Sequence, residues 1–309
     1  MPVSQREPQH GTLPGTRPKP AEEDAGAPRR VAAILESAAY RQADQDMDFL
    51  NRYDTRGLRL QLDYLKAELL LEQHRVAHTI VVFGSTRVPE PAAAHAQVES
   101  LRQHLVRDAE DAASRRRLAI AERIADKSRY YDMARELGTL VGRAGEACPS
   151  GRIVIMTGGG PGLMEAANRG AHDVEARSVG LNVSLPHQQY PNPYITPDLC
   201  FRFHYFALRK LHFLLRARAL VVFPGGYGTL DELFETLTLV QTHKIAPLPI
   251  VLVGEAFWRR AVDFEFLVAE GVIEEADREL FWFADSAQEI WAGILRWYEM
   301  HGKPLLHPR

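Results

Sequence analysis

The chain has 309 residues, 46% of them hydrophobic and 25% charged, a composition that suits a soluble globular protein of one large domain or two small ones. Its 37 basic and 40 acidic residues leave a formal net charge of -3, which excludes the global positive field that recruits nucleic acid. Cys148 and Cys200 stand far apart without C-x-x-C spacing, so neither a zinc site nor a disulfide framework is indicated and a reducing compartment fits. No apolar run approaches the roughly 18 residues of a membrane span, and the first residues lack a signal peptide's hydrophobic stretch; the expected location is the cytoplasm, with no membrane partner.

Residues 1–30 carry six prolines among Gly, Arg and Glu without apolar periodicity, and read as a disordered tail. Over 31–75 the pattern is helical, and Leu58, Leu62, Leu65 and Leu69 predict a helical preface packed on the main body. The main domain is expected over 76–303. Its first strand, 79–83, runs into Gly84-Ser85-Thr86-Arg87, and a charged helical insertion follows at about 90–128, read as a solvated or interface arm. Beyond it, helices at 130–144, 162–175, 205–216, 229–242, 257–270 and 287–301 alternate with strands at 153–157, 178–185, 219–223, 249–253 and 280–283. Short apolar strands separated by helices imply βαβ units and a parallel sheet covered on both faces. The fold class is therefore α/β, a Rossmann-like doubly wound parallel sheet with an N-terminal helical extension.

In a sheet of order 3-2-1-4-5, ligands bind outside the carboxyl ends of the strands, at the switch between strands one and four. Three small-residue turns fall on that edge: Gly84-Ser85, Gly158-Gly159-Gly160, and the segment Pro224-Gly225-Gly226-Tyr227-Gly228-Thr229. Glycines let a backbone approach a phosphate closely, and the start of the following helix offers free N–H groups and a positive dipole end. Glu232 does not belong beside such a cradle for phosphate binding alone, because a carboxylate repels phosphate. Its presence points to chemistry on a neighbouring part of the ligand, such as a nucleotide's ribose. The residues 229–232 also spell a T-x-x-E capping box, which leaves a structural role open for the same glutamate. Arg209 and Lys210 fall in the first turns of the helix leading into strand four, where cations run against the dipole and require a bound anion or a carboxylate; a solvated helix face is the alternative.

These residues resemble the lonely guy family, also labelled lysine decarboxylase-like, whose members are phosphoribohydrolases acting on cytokinin riboside monophosphates or AMP. The family pattern P-G-G-x-G-T-x-x-E is matched in full from Pro224 to Glu232, an Arg-Lys pair stands 23 positions upstream, and residues 158–168 look like the second glycine loop of the longer bacterial form. The resemblance runs from about residue 48 to 301. It implies hydrolysis of an N-glycosidic bond with Arg209 and Glu232 as catalytic residues, no metal and no cofactor. The substrate would be a nucleoside 5′-monophosphate, resting on the 225–229 backbone. Lys210 and Thr238 would be further binding groups, and the assembly a dimer or a group of dimers with the crevice near a subunit boundary. One departure touches substrate choice: where longer members commonly read L-P-x-E-Q, this chain has Leu185-Pro186-His187-Gln188-Gln189, which removes an acid.

Rival readings are weaker on the residues. A pyridoxal phosphate decarboxylase would need Lys244, which follows a long helix away from the cradle, and no acid is placed for a pyridine nitrogen. A dinucleotide enzyme would end its first strand in G-x-G-x-x-G rather than G-S-T-R. A non-catalytic carrier of a phosphorylated ligand, of the molybdenum cofactor carrier type, remains the alternative; it has no need of the Arg and Glu pair.

Overall fold

The computed structural model describes Gly15 and residues 17–107, 112–147, 152–185 and 190–306. The chain divides into two compact units, Met1–Gln61 and Leu62–Arg309. In the smaller unit α1 spans Ala27–Leu35 and α2 Met47–Leu50, and α3, Arg56–Gln73, begins there. Helix α1 starts inside the segment read from sequence as tail. Pro28 sits at its first turn, where a missing N–H has no helical partner to lose, so the proline opens this helix instead of preventing it. Residues 1–14 and 16 lie outside the described residues. Asp46 caps α2 by accepting from the Phe49 N–H at 3.1 Å, and the Thr55 hydroxyl donates to the Leu50 carbonyl at 2.8 Å.

The larger unit holds β1 (Val76–Phe83), α4 (Pro91–Arg107), α5 (Ala112–Lys127), α6 (Arg129–Ala147), β2 (Arg152–Thr157), α7 (Leu163–His172), β3 (Ser178–Val183) and β4 (Cys200–Phe203). It continues through α8 (Phe206–Leu215), β5 (Ala217–Val222), α9 (Tyr227–Gln241), β6 (Ile250–Val253), α10 (Glu255–Ala261), α11 (Phe264–Ala269), β7 (Trp282–Ala284) and α12 (Ala287–Met300). The seven strands pair in parallel in the order β4-β3-β2-β1-β5-β6-β7. The expected 3-2-1-4-5 order is present within it, with β4 added at one edge. That strand escaped the sequence pattern because Cys-Phe-Arg-Phe is four residues long and its exposed Arg202 breaks the apolar run.

Both faces of the sheet are covered, and β1 shows why. Successive strand side chains point to opposite faces. Ile80 and Val82 join one core with α6, α7 and α12, while Val81 and Phe83 join the other with α3, α8 and α9. A strand buried on both sides reads as a continuous apolar run, which is the pattern Ile80-Val81-Val82-Phe83 carries. Helices α4 and α5 pack on each other and on α6, with an ion pair between Arg102 and Glu122 at 2.8 Å. No helix of the described residues is long and apolar enough to cross a membrane.

Candidate active site

Three turns leave the carboxyl ends of β1, β2 and β5 and are hydrogen-bonded into one rim. The Ser85 N–H donates to the Pro224 carbonyl at 3.0 Å, and the Ser85 carbonyl accepts from the Leu163 N–H at 3.1 Å. Gly162 has φ of 74°, and a Cβ there would strike the same Ser85 carbonyl, so both the turn and the close approach require glycine. The rim encloses a cavity of about 570 Å³. Of the residues singled out from sequence, Gly84, Ser85, Gly158, Arg209, Gly226, Tyr227, Gly228, Thr229 and Glu232 line it.

Helix α9 begins at Tyr227 with Gly226 as its N-cap, and no side chain caps it. Thr229 is thus the third helical residue and Glu232 the sixth, so these two do not form the capping box that their spacing allows. The Thr229 and Leu230 N–H groups both donate to the Gly226 carbonyl at 3.0 Å, which leaves those of Tyr227 and Gly228, two residues that line the cavity, without helical partners. At Gly226 and Gly228 an added Cβ would meet nothing within 4 Å. Nothing inside the protein demands glycine at those positions, and their bareness opens the backbone to the cavity. Gly225 differs: a Cβ there would strike Thr229 Oγ1, so this glycine is a packing requirement.

Glu232 is 5% exposed. Burial pushes its carboxyl up to about 7; Lys210 and Arg209 pull it down, and Glu235 and Asp231 push it further up. Arg209 reaches the same cavity from α8. Burial lowers its pKa and the negative field of Glu232 partly restores it. The guanidinium carbon lies 5.3 Å from the ring centres of Phe206 and of Phe213. Its Nε is buried without a hydrogen-bond partner among the described residues. No ion pair within 4.0 Å joins Arg209 to Glu232 among the described residues, so the two charges feel each other across open space. A buried donor left unpaired is costly, and a ligand anion entering that space would satisfy it.

Other expected site residues stand elsewhere. The Lys210 ammonium joins Asp231 at 2.7 Å and Glu235 at 3.1 Å, tying α8 to α9 outside the cavity lining. Burial alone would lower its pKa, but those two carboxylates raise it. Thr238 donates to the Phe234 carbonyl at 2.7 Å on an outer face of α9 that it shares with Leu230 and Phe234. Gly159 and Gly160 lie behind Gly158 and shape the loop. The Gly159 N–H donates to Thr157 Oγ1 at 3.0 Å, and Asn192 Nδ2 donates to the Gly160 carbonyl at 3.1 Å. The departure at Gln188 falls among residues 186–189, outside the described residues.

The cavity also uses residues that were given no role from sequence. Thr86 and Arg87 extend the first turn, and Met164, Val183, Leu185 and Phe206 form an apolar wall. Thr86 and Arg87 end the G-S-T-R turn, Met164 lies in the second glycine loop and Leu185 opens the Leu-Pro segment, whereas Val183 and Phe206 have no local signature distinguishing them from core.

Comparison with known proteins bears on the family of the chain. The sequence model of the family described as "Possible lysine decarboxylase" matches residues 164–294. The chain is 30% identical over 169 residues to cytokinin riboside 5′-monophosphate phosphoribohydrolase LOG of Oryza sativa subsp. japonica, covering 53% of this chain and 65% of that protein. It is 30% identical over 171 residues to the LOG3 protein of Arabidopsis thaliana, covering 53% of this chain and 74% of that one. The pyrimidine/purine nucleotide 5′-monophosphate nucleosidase of Escherichia coli K12 is 28% identical over 179 residues, 52% of this chain and 36% of its own length. Among solved structures, a molybdenum cofactor carrier protein from Chlamydomonas reinhardtii has a TM-score of 0.40 at 19% identity over 72% of this chain and 98% of its own. A likeness at that level says nothing of activity. By the full P-G-G-x-G-T-x-x-E segment at the head of α9 and the identity to the plant proteins, the chain belongs to the lonely guy family.

Proposed function

We propose that the protein hydrolyses the N-glycosidic bond of a nucleoside 5′-monophosphate, AMP or a cytokinin riboside 5′-monophosphate, to free base and ribose 5-phosphate. The observation that carries this reading is the pairing, across an open cavity, of a buried carboxylate poised near neutrality with a buried arginine whose Nε has no partner. The phosphate would rest on the bare backbone of Gly226 to Gly228, where the helix dipole and the N–H groups of Tyr227 and Gly228 favour an anion. The base would face Met164, Val183 and Phe206. As the bond from C1′ to the base nitrogen breaks, positive charge grows on the ribose, and ionised Glu232 stabilises it. Water adds to C1′ as the C1′–N bond breaks; Glu232 takes the water's proton and releases it to solvent, and the departing base nitrogen takes one proton from solvent, so that one water is consumed and Glu232 is restored. Arg209 holds the ribosyl phosphate in line and keeps part of Glu232 ionised.

Family relatives named as phosphoribohydrolases and nucleosidases support the reaction class. Lys244 lies beyond the far end of α9, roughly 22 Å of helix from the cradle by the 1.5 Å rise, which speaks against a lysine-linked cofactor there. We also propose a dimer or an assembly of dimers. Its support is exposed apolar surface on both helices: Tyr227 is 93% exposed on a face of α9 that it shares with Phe234, and Leu211 and Leu215 are exposed on α8. The nucleotide pool and the free thiol of Cys200 suit the cytoplasm.

The deciding experiment incubates the full chain with AMP, other nucleoside monophosphates and adenosine, and follows free base by chromatography. Base from a monophosphate with little from the nucleoside is expected. Equal cleavage of AMP and adenosine would defeat the phosphate-cradle argument, and tight binding without cleavage would favour the carrier.

A further inference from the structure

Helix α8, which carries Arg209, is held along its length by one face of α3. At the entry, Asp63 Oδ2 accepts hydrogen bonds from the backbone N–H groups of His204 at 2.9 Å and Tyr205 at 2.8 Å. Midway, the Tyr64 ring lies 5.2 Å from that of buried His212. At the exit, Glu68 takes paired hydrogen bonds from Arg216 at 2.7 and 2.6 Å, and Arg216 Nε donates to the Val76 carbonyl at 3.0 Å. Asp63, Tyr64, Ala67, Glu68 and Leu71 recur at helical spacing and so share one face of α3.

This grip bears directly on the arginine. Tyr205 is the N-cap of α8 and its carbonyl accepts from the Arg209 N–H at 3.3 Å, so Arg209 hangs from the first turn that Asp63 anchors. The N-cap side chain of α8 makes no capping bond of its own, and Asp63 supplies a carboxylate at that end from another helix. The guanidinium rests on Phe206 and Phe213 of the same helix, and its Nε has no hydrogen-bond partner among the described residues. Its direction is set by the backbone from which it projects. We propose that Asp63 is a positioning residue for Arg209, acting through the entry of α8, and that this face of α3 belongs to the machinery of the site. The inference rests on the hydrolase reading for its kinetic consequences and on geometry alone for its structural one.

The test uses the full chain with Asp63→Ala, Asp63→Asn, Arg209→Ala and the double variant Asp63→Ala/Arg209→Ala. Asp63→Ala is expected to lower kcat for AMP about 10-fold or more, the scale of a slightly misplaced reacting group. Asp63→Asn keeps an oxygen acceptor for both N–H groups and is expected to stay within about threefold of the parent. In the Arg209→Ala background, loss of Asp63 should cost nothing further, because residues that act through one another are not additive. The Arg209 Nε–H resonance of ¹⁵N-labelled protein reads the same placement without substrate: it should move in Asp63→Ala and hold in Asp63→Asn. Equal losses of kcat in both backgrounds would overturn the proposal, and so would an unmoved resonance. A parent chain inert on every monophosphate would remove the hydrolase reading and leave the resonance to decide Asp63.

Discussion

Gly158 and Arg209 are in contact: a Cβ placed on Gly158 would lie 2.8 Å from Arg209 Nη2 and 2.9 Å from Met164 Sδ. Gly158 carries no positive φ, so its backbone does not demand glycine. What demands it is the guanidinium of another helix lying against the loop. Gly158→Ala is therefore expected to displace the flexible ends of Arg209 and Met164 at little cost in folding. Turnover of AMP should fall about 10-fold with only a small change in Tm. A large fall in Tm with unchanged kcat would show that the contact matters for packing alone.

The two glycines at the head of α9 make opposite predictions. Gly226 has extended φ of -103° and open space where a Cβ would stand, so Gly226→Ala should fold as the parent does. Its methyl group would then occupy the floor on which phosphate is proposed to rest, and KM for AMP should rise about 10-fold or more. Gly225→Ala drives a methyl into Thr229 and is expected to lower Tm by overpacking, at a cost of about 1–3 kcal/mol. Calorimetry and kinetics on the two variants separate a ligand-facing glycine from a packing one. Unchanged KM in Gly226→Ala would remove the phosphate from this position.

Glu232 gives stability and activity opposite pH dependences. Its carboxyl is raised from the ordinary 4.5 to about 7, so the folded protein binds the proton more tightly than the unfolded chain. The stability this proton supplies is fully present below 4.5 and is lost as pH rises through 7, an upper bound on the order of 3 kcal/mol. Glu232→Gln should thus gain stability on the parent over that window and differ by a constant amount above it. Activity runs the other way, since the ionised form stabilises the developing cation. The kcat/KM of the parent should rise with pH around a midpoint near 7, and Glu232→Gln should fall by about 10²-fold or more. A Gln variant with full turnover would return the glutamate to a structural role.

Much of this site was legible before the fold was seen, because a glycine-rich turn between an apolar strand and a helix has few physical readings. The two residues given a catalytic role from sequence, Arg209 and Glu232, face one cavity. The helix start was misplaced by two residues, and with it the capping reading, because Tyr227 and Gly228 are poor helix formers that the tertiary context nevertheless winds into α9. Lys210 and Thr238 were assigned to substrate by resemblance, and side-chain direction decided their places. On α8, Lys210 turns to the acids of α9 while its neighbour Arg209 turns inward, a difference of about 100° around a helix that no spacing to a distant motif contains. Asp63 could not be found at all, since one aspartate on an amphipathic helix carries no sign of what it will accept from 141 residues away.

Lys210 separates the two roles that its position next to Arg209 suggests. It lies outside the cavity lining and is held by Asp231 and Glu235, yet its charge lowers the pKa of Glu232. Replacing it by methionine keeps much of the apolar stem and removes the ammonium. Asp231 and Glu235 then act on Glu232 with only Arg209 to offset them, and like charges favour the protonated acid, so the midpoint of the kcat/KM profile should move above 7. At pH well above that midpoint Glu232 is ionised in both proteins, and the rates should converge. A lysine that held the phosphate would behave differently: its loss would raise KM at every pH, with no shift of the midpoint. Profiles of kcat/KM and KM for AMP across pH 5 to 9 in Lys210→Met and the parent distinguish the two, and a uniform rise in KM would restore Lys210 to the substrate.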